Sequence, residues 1–280
     1  MIGSDFAPVA FGLASAACWG AGDFCGGLAT KRTHVYSVII TSQIIGVSLL
    51  IGLALLLGEK MPPISLMLWG GAGGVAGAVG LVALYRALAF GRMGVAAPVA
   101  GVVGAVVPVI VGATIEGLPG STQLIGFGLA LLAVWFISRT NDATFQWRDL
   151  GLPLLAGLSF GVFFVLIHKA SDTAILWPLV AARLASLSTL IVMATVSGQP
   201  RLTRSSALPL ISLVGVLEVG GNAFYALAGQ VGRLDVAAVV SSLYPATTVW
   251  LAWLILKERI TRLQTVGIVA ALAAIALIAS

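Results

Sequence analysis

Of the 280 residues, 59% are hydrophobic and only 9% are charged, and mean hydropathy is +1.08. A soluble domain usually carries about 25% charged residues, so this inventory cannot cover a water-facing surface, and soluble enzymes and soluble binding modules are excluded. The net charge of +5 is spread as single or paired basic residues at the ends of apolar runs, which fits headgroup anchoring and, without a continuous basic stripe, excludes nucleic acid as a partner.

A membrane-spanning helix needs about 20 apolar residues at 1.5 Å each. Spans are predicted over residues 7–30, 35–58, 64–90, 94–115, 121–139, 150–168, 174–197, 207–230, 235–256 and 262–279. Short polar breaks separate them, among them Lys31-Arg32-Thr33-His34, Glu59-Lys60-Met61-Pro62-Pro63 and Glu116-Gly117-Leu118-Pro119-Gly120. Both cysteines, Cys18 and Cys25, fall in the first run. They stand roughly 10 Å apart along a helix, beyond disulfide reach. That run follows no basic segment and is long enough to span, so a cleaved signal peptide is not expected. The longest connection, Arg139 to Asp149, divides the chain into residues 1–141 and 142–280.

The two parts repeat each other at a constant offset of 141 residues. Gly91-Arg92-Met93-Gly94-Val95-Ala96-Ala97-Pro98-Val99 lies over Gly232-Arg233-Leu234-Asp235-Val236-Ala237-Ala238-Val239-Val240, with six of the nine positions identical. Gly20 meets Gly161, Gly74 meets Gly215, Gly80 meets Gly221, Gln123 meets Gln264 and Gly126 meets Gly267. Five spans per part is odd, so the second part enters the membrane from the opposite side. The fold class expected is an all-α membrane protein of ten transmembrane helices, two inverted five-helix repeats around a central cavity. That architecture belongs to secondary transporters, whose sites lie near mid-membrane between the repeats.

Polar groups at membrane depth mark the candidate site. Glu218 lies about 11 residues into its span, roughly 16 Å deep in a core of about 30 Å. Asn222 and Tyr225 follow on the same helical face. An unpaired carboxylate there costs several kcal/mol in lipid, so this face should line a cavity or meet a partner helix. Ser15, Trp19 and Asp23 share a face of the first span, and Trp19 stands over Phe160 in the repeat. Arg183, deep in the seventh span, is the natural counter-ion for Glu218 or Asp23. Arg86, near the end of the third span, is expected to snorkel. Tyr244-Pro245, beside Ser241 and Ser242, interrupts the ninth span, and Pro98 and Pro108 are expected to interrupt the fourth, its repeat partner. The expected cavity therefore draws on Trp19, Tyr85, Phe160, Tyr225 and Tyr244 for its walls and on Asn222, Ser241 and Ser242 for hydrogen bonds. Asp23, Arg183 and Glu218 are its candidate charges, for substrate ends or a coupling proton. His34 and His168 sit near span ends, where a solvated histidine is expected. No His, Cys, Asp and Glu cluster has metal-ligand spacing and no phosphate-cradling Gly-rich loop with Lys occurs, so neither a metal nor a cofactor is expected. Clustered acids or a nucleophile facing a headgroup-level site, as an intramembrane enzyme would need, are not seen.

Trp19-Gly20, the Pro245 helix and Lys257-Glu258-Arg259-Ile260-Thr261 followed by Gln264 and Gly267, on a five-plus-five plan, resemble the EamA-type drug/metabolite transporters. In the first half the ending is reduced to Glu116-Gly117 with Gln123 and Gly126. Within that superfamily the chain resembles amino-acid exporters of the YddG type. The resemblance implies alternating-access export of neutral amino acids, aromatic ones included, and related metabolites across a bacterial inner membrane. Transport of drugs or cations, or of sugar phosphates and nucleotide sugars, is the alternative within the superfamily. The resemblance also implies cytoplasmic termini. The Lys and Arg bias points the other way, with Lys31, Arg32, Arg92, Arg139, Arg148, Arg201, Arg204, Lys257, Arg259 and Arg262 all in connections after odd-numbered spans.

Overall fold

In lipid every backbone polar group must be satisfied within the protein, and an apolar run meets that demand by closing its own helical hydrogen bonds. The computed structural model describes residues 6–90, 93–137, 151–200, 207–257 and 261–278, and the described residues form helices and short connections. The helices are α1 (Phe6–Thr30), α2 (Val35–Leu56), α3 (Ile64–Phe90), α4 (Met93–Ile115), α5 (Ser121–Ile137), α6 (Gly151–Ala170), α7 (Leu176–Val196), α8 (Leu208–Val231), α9 (Leu234–Ser241), α10 (Tyr244–Leu256) and α11 (Arg262–Ile278). Among the described residues six stretches are long and apolar enough to cross a membrane: Val35–Leu56, Ile64–Leu84, Gly151–Ala170, Leu176–Val196, Leu208–Val231 and Leu234–Leu256. The last of these combines α9 and α10. Ala100–Ile115, Ser121–Phe136 and Arg262–Ala274 are shorter apolar helices. Large apolar side chains such as Ile64, Leu68, Val269 and Leu272 point outward, each more than 60% exposed. Such a belt is stable in lipid and not in water.

One expectation fails in an instructive way. Matching breaks were expected in the fourth and ninth spans, but α4 runs unbroken through both Pro98 and Pro108. Only the second element is interrupted, at Ser242 and Leu243, with Pro245 in the first turn of α10. A proline there lacks only an N–H that the helix start leaves free anyway. The turn is closed by tighter bonds, Leu243 N–H to the Val240 carbonyl and Ala246 N–H to the Leu243 carbonyl. At the repeat offset Pro245 stands over Gly104, and neither Pro98 nor Pro108 faces a proline. The prolines are not repeat partners.

Helix pairing follows a regular scheme. α1 lies on α8, α3 on α6 and α7, α4 on α6 and α9, α2 on α7 and α8, and α5 on α11. Small residues set the closest approaches, as expected of helices packed in lipid. A methyl on Gly74 would overlap the Ala182 carbonyl of α7, and one on Gly20 would overlap the Tyr244 carbonyl of α10. The Thr261 and Gln264 of the resemblance motif form a capping box at the start of α11. Thr261 N–H donates to Gln264 Oε1 at 2.9 Å and Gln264 N–H to Thr261 Oγ1 at 3.2 Å. Gln123 repeats half of that device, accepting from Gly120 N–H at 3.3 Å. The motif's Thr and Gln therefore start a helix and do not touch the cavity. Glu258, Arg259, Gly91-Arg92 and residues 139–149 lie outside the described residues.

Candidate functional site

A cavity opens in the middle of the bundle, lined from α1, α2, α3, α6, α7, α8 and α10. Its polar lining is Asp23, Gln43, Arg183, Ser186, Glu218 and Asn222, and its aromatic walls are Trp19, Phe160, Phe163, Phe164 and Tyr244. Of the residues expected there, Trp19, Asp23, Phe160, Arg183, Glu218, Asn222 and Tyr244 line it. Tyr225, Ser241 and Ser242 do not. Tyr225 faces Phe164 with ring centroids 4.9 Å apart, is fully buried, and donates its hydroxyl to the Phe164 carbonyl at 2.9 Å. Ser241 donates to the Gly12 carbonyl at 3.4 Å and Ser242 to the Val239 carbonyl at 2.7 Å. A helical face places side chains only to within a turn, and in each case a nearby carbonyl captured the hydroxyl. The side chains of Tyr85 and Pro98 lie outside the described residues. Pro108 is buried within the continuous α4.

The charges meet across helices. Arg183, 5% exposed, comes within 3.8 Å of Glu218, Nη2 to Oε2. That is an ion pair but exceeds hydrogen-bond length. Its Nη1 donates to Gln43 Oε1 at 2.6 Å, while Gln43 Nε2 donates to Ser186 Oγ at 3.1 Å. Nε and Nη2 of Arg183 are buried without a hydrogen-bond acceptor. Buried unsatisfied donors cost about 1–3 kcal/mol each, so native proteins keep them where a ligand or water completes the site. Trp19 donates its indole N–H to Asn222 Oδ1 at 3.1 Å and stacks on Phe164 with centroids 5.5 Å apart. Ser15, on the same face of α1, donates to the Gly221 carbonyl at 2.8 Å. Trp19 is thus wall and crosslink together, joining α1 to α8 and α6.

The connections that follow α2, α4, α6 and α8 gather at one end of the bundle, where they are tied together. The Glu59 carboxylate accepts the N–H groups of Ile175, Leu176 and Trp177 at 3.1, 2.8 and 3.0 Å, capping the start of α7. Arg233 donates to the Asp235 carboxylate at 2.7 Å and to the Gly117 carbonyl at 2.7 Å. The hydrogen bond to Asp235 holds the Arg233 guanidinium still more firmly protonated. Glu116 accepts Leu234 N–H at 3.2 Å and lies 3.7 Å from His168 Nε2. His168 therefore differs from the solvated histidine expected, since it joins this cluster. Glu116 thus lies within 4 Å of both His168 and Arg233.

Gln43, Phe163, Phe164 and Glu59 carry much of this geometry and were not singled out from the sequence, and Glu116 was named only as part of a helix-end motif. Gln43 had a readable signal: it is the one carboxamide in a span of mean hydropathy 2.3, and the depth argument used for Glu218 applies to it equally. The two phenylalanines had none, because an apolar aromatic facing a cavity and one facing lipid look alike in sequence.

Solved structures share this fold. One crystal structure of a protein 15% identical to this chain superposes with a TM-score of 0.76, covering 96% of this chain and 95% of that chain. Among curated proteins none matches the chain. Residues 149–280 match the model of the EamA-like transporter family.

Proposed function

We propose that the protein is a secondary transporter of ten membrane crossings, built as two inverted five-helix halves, residues 1–141 and 142–280. It exports neutral amino acids, aromatic ones included, and related metabolites through alternating access across a bacterial inner membrane. The pairing scheme supports two five-helix halves related by exchange, and the odd number of spans in each half inverts one against the other. When α1–α5 are exchanged with α6, α7, α8, α9–α10 and α11, α1 on α8 becomes α6 on α3, α2 on α8 becomes α7 on α3, and α2 on α7 and α5 on α11 return themselves.

The observation that carries the substrate class is Arg183 beside Glu218, 3.8 Å apart in a cavity that also presents five aromatic side chains. An α-amino acid presents a carboxylate and an ammonium side by side. The adjacent cation and anion of the site complement that pair, with the side chain left against Trp19, Phe160 and Tyr244. Two charge-assisted hydrogen bonds at about 2 kcal/mol each total about 4 kcal/mol, the free energy of millimolar binding. A carrier needs that compromise, because substrate must also leave. Sugar phosphates fit less well, since the described cavity sets two carboxylates, Asp23 and Glu218, against one arginine.

A proton or other ion is the proposed coupling partner, with Glu218 the group that takes it. In proteoliposomes the protein should catalyse counterflow of labelled neutral amino acids. Glu218→Gln should lower that flux about tenfold or more and flatten its dependence on pH. Flux unchanged at every pH would end the role of Glu218, and absence of counterflow with the whole panel would end the substrate class.

A further inference from the structure

We infer that Gln43 is a positioning residue that turns Arg183 into a receptor for a free carboxylate, so that the cavity selects substrates carrying one. This deepens, and rests on, the reading of the Arg183 and Glu218 pair as the substrate site.

A guanidinium has only donors, so the carboxamide facing it must present its oxygen. Gln43 does so at 2.6 Å, and its amide nitrogen is fixed by Ser186 Oγ at 3.1 Å, which settles the orientation from the other side. Gln43 is itself 4% exposed, so neither bond is shared with water. The choice of a neutral acceptor matters. A carboxylate at this position would hold Nη1 equally well but cancel the positive charge. Gln43 satisfies one edge of the guanidinium and leaves its charge intact.

The atoms left over form a defined shape. Nε and Nη2 carry the two parallel N–H groups of the guanidinium's side edge, the fork that accepts a carboxylate in bidentate fashion. These are the two Arg183 nitrogens without a hydrogen bond. Glu218 stands off at 3.8 Å and does not fill the fork. Gly46, one turn along α2 from Gln43, keeps that helix close, since a Cβ there would lie 3.7 Å from Arg183 Cζ. Without Gln43 nothing described ties Nη1, and the guanidinium is free to rotate onto Glu218 and close the fork.

The test reads discrimination between matched acids and amides in the purified full chain. Thermal protection is measured with leucine against leucinamide, and with isocaproate against isocaproamide. The wild-type protein should prefer each acid to its amide by about tenfold or more in half-maximal concentration, the difference expected of a charge-assisted pair. Gln43→Leu should bring that ratio to about one by freeing Arg183, and Gln43→Glu, which keeps size and shape, should do the same by neutralising it. A role in folding alone would lower the melting temperature of a variant without moving the acid-to-amide ratio. Protection by isocaproate without protection by leucine would remove the amino-acid reading and leave the role of Gln43 standing. Equal protection by acid and amide in the wild type, protection by neither, or an unchanged ratio in both variants would overturn the inference.

Discussion

α4 and the α9–α10 pair begin with similar sequence at an offset of 141 residues, yet one is a single straight-through helix and the other is broken at Ser242 and Leu243. Each packs a glycine-bearing helix in the same place, which isolates the effect of the break. In one half Gly161 of α6 lies against Val107 of α4, with 2.5 Å from a built Cβ to the Val107 Cβ. In the other, Gly20 of α1 lies against Tyr244, Thr247 and Thr248 of α10. Thr248, which stands over Val107 at the repeat offset, donates its hydroxyl to the Gly20 carbonyl at 3.0 Å. Valine offers the same shape and no donor. The continuous helix is thus held by packing, while the broken one is held by packing plus a side-chain hydrogen bond, and it delivers Tyr244 to the cavity wall. Matching glycine contacts therefore coexist with a break in only one of the two elements, and that break has Pro245 in the first turn after it.

Three substitutions test that contrast. The largest effect is expected from Gly20→Val, which drives a side chain into the Tyr244 carbonyl and the Thr247 Cβ. Overpacking of this kind costs about 1–3 kcal/mol or more, so a fall in melting temperature on the order of 5 °C is expected in detergent. An unchanged melting temperature would mean that α1 and α10 do not meet there. Next is Pro245→Ala, which removes the residue that starts α10. With the helix free to continue, Tyr244 turns away from the cavity. Counterflow should drop about tenfold while expression and oligomeric behaviour stay as in the wild type. Full activity in that variant would show that the break is incidental to transport. The smallest effect belongs to Thr248→Val, which makes α10 chemically like α4 at this contact. A loss of about 1 kcal/mol in stability is expected, the net worth of one hydrogen bond, with transport little changed. A loss several times larger would mean that Thr248 reaches the substrate.

Span positions could be taken from the sequence because their cause is local. Twenty apolar residues must satisfy their own backbone in lipid, and the predicted 64–90 and 121–139 reappear as Ile64–Phe90 and Ser121–Ile137. Depth was equally readable, since rise per residue converts position into ångströms. Glu218, Asp23 and Arg183 were therefore identified, and all three line the cavity. Rotation was readable only to within a helical turn. Tyr225 shares a face with Glu218 and Asn222 by periodicity, yet its ring packs beside Phe164 and leaves the cavity.

Residue order alone was enough to read apolar helices for a membrane and the charges that needed shelter, because hydropathy, spacing and the cost of burying charge depend on residues taken one at a time or at fixed intervals. Helix docking chose which groups face each other: Gln43 on Arg183, Trp19 on Asn222, Glu59 on the start of α7, and one broken helix where two were expected. Hydrogen bonds are directional and reach about 3 Å, so partners from helices more than a hundred residues apart are chosen by how the helices dock, and no spacing along the chain encodes that choice.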